Sequence, residues 1–464
     1  MVFSSLPFLF LFLTVVLLVS HLLPFKFRNF FLLLANLVFY AYGEPVYVLI
    51  MIASILVNFF AGVLMDKQPT QSRRRAVLVV GIVLNLAALG VFKYAGLFVD
   101  TLRGIPAFSS LPEVNIALPI GISFYTFQAV SYLIDVYWDD CEASHNFVNF
   151  ACYISLFPQL IAGPIVKYET VAQQIDHRKE TWTDFSAGCS RFIVGLGKKV
   201  LLSNQLAVVA DRAFGLGDGL SASFAWLGAL CYTLQIYYDF SGYSDMAIGL
   251  GKMFGFHFLE NFNYPYISRS ITEFWRRWHI SLSTWFREYL YIPLGGNRCS
   301  KPRWMFNLLV VWAATGIWHG ASWNYLIWGL YFFVLLMLEK FFLLKVLNKA
   351  PALVGHIYTL FFVVVSWAIF AIEDFAQLSS YLKVMFGLGG VPLMDAKLGY
   401  YVTSYLPILL VAAVASTPLG AKLYHKLKTP AAEVVCTVLV LAGLVVCTAY
   451  LVDGTYNPFL YFRF

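Results

Sequence analysis

The chain has 464 residues, of which 60% are aliphatic, aromatic, Met or Cys and only 12% are charged. Soluble globular proteins run near 45–50% apolar and about 25% charged, so this charge cannot clothe the surface of soluble domains. So much aliphatic and aromatic content also excludes a disordered chain, and a multi-pass membrane protein remains.

A spanning helix needs about 20 mostly apolar residues. In chain order the windows that qualify, or nearly so, are 3–25, 29–42, 46–65, 76–91, 119–138, 224–240, 304–318, 323–344, 354–372, 400–416 and 432–452. They predict an all-α protein with about ten crossings. Residues 1–5 carry no Lys or Arg and no small-residue cleavage site follows, so the first window reads as a retained anchor. Basic residues gather at Lys26/Arg28, 67–75, 298–303, Lys345/Lys349 and 422–428. Placing all of them on the cytoplasmic side leaves both termini outside. The net charge of +7 is explained by these loops and by lipid headgroups rather than by nucleic acid. The stretch 139–303 resists this count. It holds half-length segments and Gly-Pro breaks, which predict re-entrant pieces, and irregular backbone at membrane depth belongs where it lines a cavity. No soluble domain can be cut out, so 1–464 reads as a single membrane domain.

The seven cysteines show neither CxxC nor zinc spacing, and they predict no disulfide and no metal. Of eight histidines, six lie near segment ends or in loops, where solvation accounts for them. His319 is different. It stands in Thr315-Gly-Ile-Trp-His-Gly-Ala-Ser-Trp323, at the join of two apolar helices. Gly316, Gly320 and Ala321 permit close backbone approach, and Thr315 lies one turn away on the same face. Trp318 and Trp323 are candidate apolar walls. An imidazole there suits a general base; a histidine at a plain helix contact is the alternative.

His279 lies in 273–289, read as one amphipathic helix. Trp275, Trp278, Leu282, Trp285, Phe286 and Tyr289 share one face. Arg276, His279, Ser283 and Arg287 share the neighbouring edge. That edge either rests on lipid phosphates or lines a tunnel that admits a phosphorylated donor. In Tyr237-Tyr-Asp-Phe-Ser-Gly-Tyr-Ser-Asp245 two carboxylates flank a glycine inside an apolar span. The motif reads either as a helix break with Asp and Ser capping freed amides, or as a paired site for protons or cations in a transporter or channel. The chain has no Walker A loop, no GxGxxG unit and no G-x-S-x-G elbow.

Together these segments resemble the membrane-bound O-acyltransferase (MBOAT) family. The residues that carry the resemblance are 1–6 (MVFSSL), 157–165 (FPQLIAGPI), 238–249 (YDFSGYSDMAIG), 274–298 with its YIPLGGNR ending, 316–323 (GIWHGASW) and 456–464 (NPFLYFRF after Tyr456). They are most similar to the branch that O-acetylates secreted polysaccharides such as alginate or cellulose. The resemblance implies a ring of about 10–12 helices and re-entrant segments around a central tunnel, in the cytoplasmic (inner) membrane. It implies catalytic roles for His319 and His279, with Arg276, Arg287, Ser283, Trp318, Asp239 and Asp245 along the donor and substrate path. It implies acetyl-CoA as donor substrate with no bound cofactor, and a periplasmic or surface esterase-like partner that completes transfer to the polymer. Transfer of D-alanine or of a fatty acyl group on the same fold is the nearest alternative.

Overall fold

The computed structural model describes residues 1–388, 390–426, 429–454 and 460. Among these every regular element is a helix, as expected where backbone groups have no water to bond. Two compact units form, 1–192 with 244–259, and 193–243 with 260–464.

In the first unit the long helices are α1 (Pro7–Leu22), α2 (Phe25–Gly43), α3 (Val48–Asp66), α4 (Gln71–Arg103) and α5 (Ile122–Trp138). Three short helices follow, Phe147–Ser155, Phe157–Leu160 and Tyr168–His177. The core is an aromatic cluster. Phe8, Phe12 and Phe39 all pack on Phe157, at ring separations of 5.4–6.2 Å. Phe157, the first residue of the motif 157–165, is thus a packing residue. The Phe157 N–H donates to Asn36 Oδ1 at 3.1 Å.

Helix α6 (Trp182–Phe214) is long and apolar enough to cross a membrane, although no window was predicted there. Arg191, Lys198 and Lys199 hide it from a hydropathy reading. Two of these charges are neutralised by α7 (Ala222–Met253). Within the first unit Arg191 binds Asp245 at 2.8 Å, and within the second Lys199 binds Asp239 at 2.5 Å. Helix α7 runs unbroken through Gly242, against the predicted break. A Cβ at Gly242 would stand 2.8 Å from the Gly195 carbonyl, so the glycine serves close packing on α6.

The second unit continues with α8 (Ile271–Arg277), α9 (Ile280–Phe286), α10 (Lys301–His319), α11 (Trp323–Leu338), α12 (Ala352–Ala371), α13 (Ala396–Ala415) and α14 (Pro430–Asp453). The single amphipathic helix predicted over 273–289 is corrected here. It is split between α8 and α9 because His279 takes a left-handed backbone, φ 44° and ψ 56°. The shared edge of Arg276, His279, Ser283 and Arg287 does not exist.

Six described helices are long and apolar enough to span: α3, α4, α6, α12, α13 and α14. The other predicted windows also fall on helices, but these are shorter or more polar. The chain is an all-α, multi-pass membrane protein. Burial separates two kinds of span. The apolar window of α12 is 56% buried, while those of α13 and α14 are 6% buried, leaving nearly their whole circumference for lipid. The closing motif 456–464 lies outside the described residues except for Leu460.

Candidate active site

The site grows from the hairpin α10–α11. A Cβ at Gly316 would stand 2.4 Å from the Tyr325 carbonyl oxygen, and one at Gly329 would stand 2.3 Å from that of Trp312. Only glycine lets the two backbones approach so closely. The contact brings the end of α10 against the start of α11 and buries His319, which is 8% exposed. Three rings enclose the imidazole edge-on, Trp328 at 5.0 Å, Trp318 at 5.1 Å and Phe370 at 5.4 Å. Trp318 was foreseen as a wall. Trp323 is not one, being 47% exposed, and Trp328 takes that place. Thr315 is buried, and its hydroxyl donates to the Val311 carbonyl at 2.8 Å.

His319 opens on a cavity lined by Ile236, Asp239 and Phe240 of α7, Trp278, Trp367 and Phe370, and Leu460. His279 does not line this cavity but packs behind its wall. Its ring meets Phe240 edge-on at 4.5 Å and lies 6.1 Å from Trp318, so both imidazoles flank the Trp318 indole. Asp239 contributes a carboxylate to the cavity wall. One of its oxygens binds the Lys199 ammonium, and Oδ2 accepts the Leu460 N–H at 2.8 Å. Asp239 and Lys199 are 2% exposed, and an ion pair so buried survives only with its partners satisfied.

The remaining predicted residues lie elsewhere. Asp245 belongs to the first unit and to Arg191. It is no partner of Asp239, because six residues along a helix turn a side chain by roughly 240°. Arg276 and Arg287 are exposed, with Arg287 on Glu288 at 3.1 Å. Ser283 is half-buried, and its hydroxyl donates to the Trp275 carbonyl. Sequence reasoning missed Ile236, Phe240, Trp328, Trp367, Phe370 and Leu460. Their apolar identity within apolar spans carried no signal of a cavity. Trp278 was read only as part of an apolar face.

Comparison with known proteins gives the same direction. The family model of the membrane-bound O-acyltransferases, MBOAT, matches residues 142–380, which takes in His279, His319 and all the cavity residues except Leu460. The chain is 44% identical to the probable alginate O-acetylase AlgI of Azotobacter vinelandii, over 92% of this chain and 86% of that protein. It is 39% identical to the probable alginate O-acetylase AlgI of Pseudomonas aeruginosa, over the full length of both. A peptidoglycan O-acetyltransferase of Helicobacter pylori is 34% identical over 79% of this chain and 75% of its own length.

Proposed function

The chain belongs to the membrane-bound O-acyltransferase family and is an O-acetyltransferase, and from that premise we propose that it draws acetyl groups from cytosolic acetyl-CoA for esterification of a secreted alginate or alginate-like polysaccharide. The observation that carries the reading is the placement of His319 and Asp239 on one aromatic-walled cavity, with His279 packed against its wall residue Phe240. His319 is the general base. The acceptor hydroxyl attacks the acyl carbon and gives its proton to the His319 ring as the C–O bond forms. The C–S bond then breaks, and the leaving thiolate takes that proton. The aromatic walls exclude water that would hydrolyse the donor. Exposed Arg276 is available to the phosphates of the donor, and Arg287 would exchange its Glu288 partner for them. The protein sits in the inner membrane with both termini outside, and an esterase-like partner on that side carries the acetyl group onward to the polymer.

The transporter reading loses its support, since each carboxylate of α7 already has its own cation. The test is ester-bound acetate on exported polysaccharide in cells that lack their own membrane acetylase. Wild-type chain restores it and His319→Gln does not; equal acetylation by both at equal protein levels rejects the reading. Labelled acetyl-CoA supplied to inverted membrane vesicles identifies the donor.

A further inference from the structure

His279 is 1% exposed, and its backbone lies in the left-handed region, which a non-glycine residue adopts only where its surroundings hold it there. Asn261 is central to holding it there. The Asn261 backbone carbonyl accepts the Ile280 N–H at 2.9 Å. Its side-chain oxygen Oδ1 accepts the Ser281 N–H at 3.1 Å and the Ser281 hydroxyl at 2.9 Å, and stands 3.2 Å from His279 Nδ1. Asn261 is itself 1% exposed. A backbone N–H only donates, so the Ser281 contact fixes which end of the Asn261 amide is oxygen. The Ser281 hydroxyl also stands 3.5 Å from Nδ1, but its hydrogen goes to the nearer Asn261 oxygen at 2.9 Å. An amide oxygen only accepts, so the ring nitrogen facing it at 3.2 Å carries a hydrogen.

We propose that Asn261 is a positioning residue that locks His279 as the Nδ1–H tautomer, so that Nε2 is the acceptor nitrogen in the transfer reaction. The choice of tautomer by the bond made at the other nitrogen is a general property of histidine. Phe240, Phe262 and Trp318 pack around the ring at 4.5–6.5 Å, an apolar enclosure in which a charged ring is costly. A neutral Nδ1–H ring offers no donor at Nε2. His279 is thereby removed from the candidates for stabilising the oxyanion, a part that falls to amide N–H groups. It accepts a hydrogen bond at Nε2 instead, while the transferred proton itself goes to His319. The Nδ1–H stays on Asn261 throughout and holds the ring in place. The inference rests on the site reading above.

The titratable groups around His279 are His319 at the end of α10, Asp239 with Lys199, Arg277 bound to Glu273 on α8, and exposed Glu260 beside Asn261. The test compares the pH profile of acetyl transfer by full-length wild type, Asn261→Asp and Asn261→Leu in membranes, with acetyl-CoA as donor. Aspartate can accept the same three hydrogen bonds, but its charge favours the imidazolium. The acid limb of the profile therefore moves to higher pH by about one unit or more, with activity kept above that limb. Asn261→Leu loses kcat at least tenfold with donor KM within twofold, and Asn261→Asp rescues it. An Asn261→Asp profile that overlays wild type overturns the proposal even if Asn261→Leu fails to fold. Full transfer by His279→Ala overturns the site reading itself, a result the Asn261 variants would not mimic.

Discussion

Two clusters of buried polar side chains, one in each unit, are arranged differently. In the first, Asn58 of α3 and Asn85 of α4 exchange amide hydrogen bonds at 3.1 and 2.7 Å. Each also donates to a carbonyl one turn back, Ser54 and Gly81, at 2.8 Å. Asn29 likewise donates to Asn149 and accepts from Arg178. These amides face one another and are saturated, which is how helices lock together where lipid provides no hydrophobic drive. In the second unit His319 and Asp239 face a cavity. A polar group inside a membrane protein is thus no marker of chemistry by itself. What distinguishes the candidate site is that its polar groups line a cavity.

The sharpest way to break that comparison is His319→Gln. Loss of a positioned base lowers transfer by about 10²–10⁴-fold, read as acetate incorporated per molecule of folded protein, with thermal stability in detergent little changed. Asp239→Asn acts on stability first. It strands the Lys199 ammonium and costs about 3–5 kcal/mol, seen as a lowered unfolding temperature and lower membrane levels. Asp239→Leu with Lys199→Leu recovers most of that stability. Asn58→Ala leaves the Asn85 amide short of partners and costs about 1–3 kcal/mol. Transfer per folded molecule stays at the wild-type rate, and Asn58→Leu with Asn85→Leu regains the loss. A fall in specific activity there would erase the distinction between the units. The smallest effect belongs to Arg276→Gln. An exposed charge contributes about 0.2–1 kcal/mol, so donor KM rises about 1.5–5-fold at unchanged kcat.

Much of the fold is legible along the chain because it depends on local composition. Each predicted apolar window falls on a helix, and the glycines around His319 announce a close helix contact. The failures have one cause. Span α6 was missed because Arg191 and Lys199 look prohibitive until Asp245 and Asp239 are set beside them. The stretch 273–289 was read as one helix because its periodicity is faultless. Nothing in that periodicity reports that Asn261, 18 residues from His279, binds the turn from outside. Asp239 and Asp245 invite a paired-site reading because they are neighbours in sequence, but the helix turns them apart.

The sequence by itself determined the solvent of this protein and hence its helices. A chain so apolar must enter lipid, and there the backbone must bond to itself. It also determined that His319 would be buried at a tight helix join. Only the tertiary structure decided which polar groups meet. The partners of Asp239 lie as far away as Leu460, a separation of 221 residues. Helical periodicity carries information over a few turns, while partners so distant are selected by packing and by the cost of leaving a buried charge or amide unsatisfied.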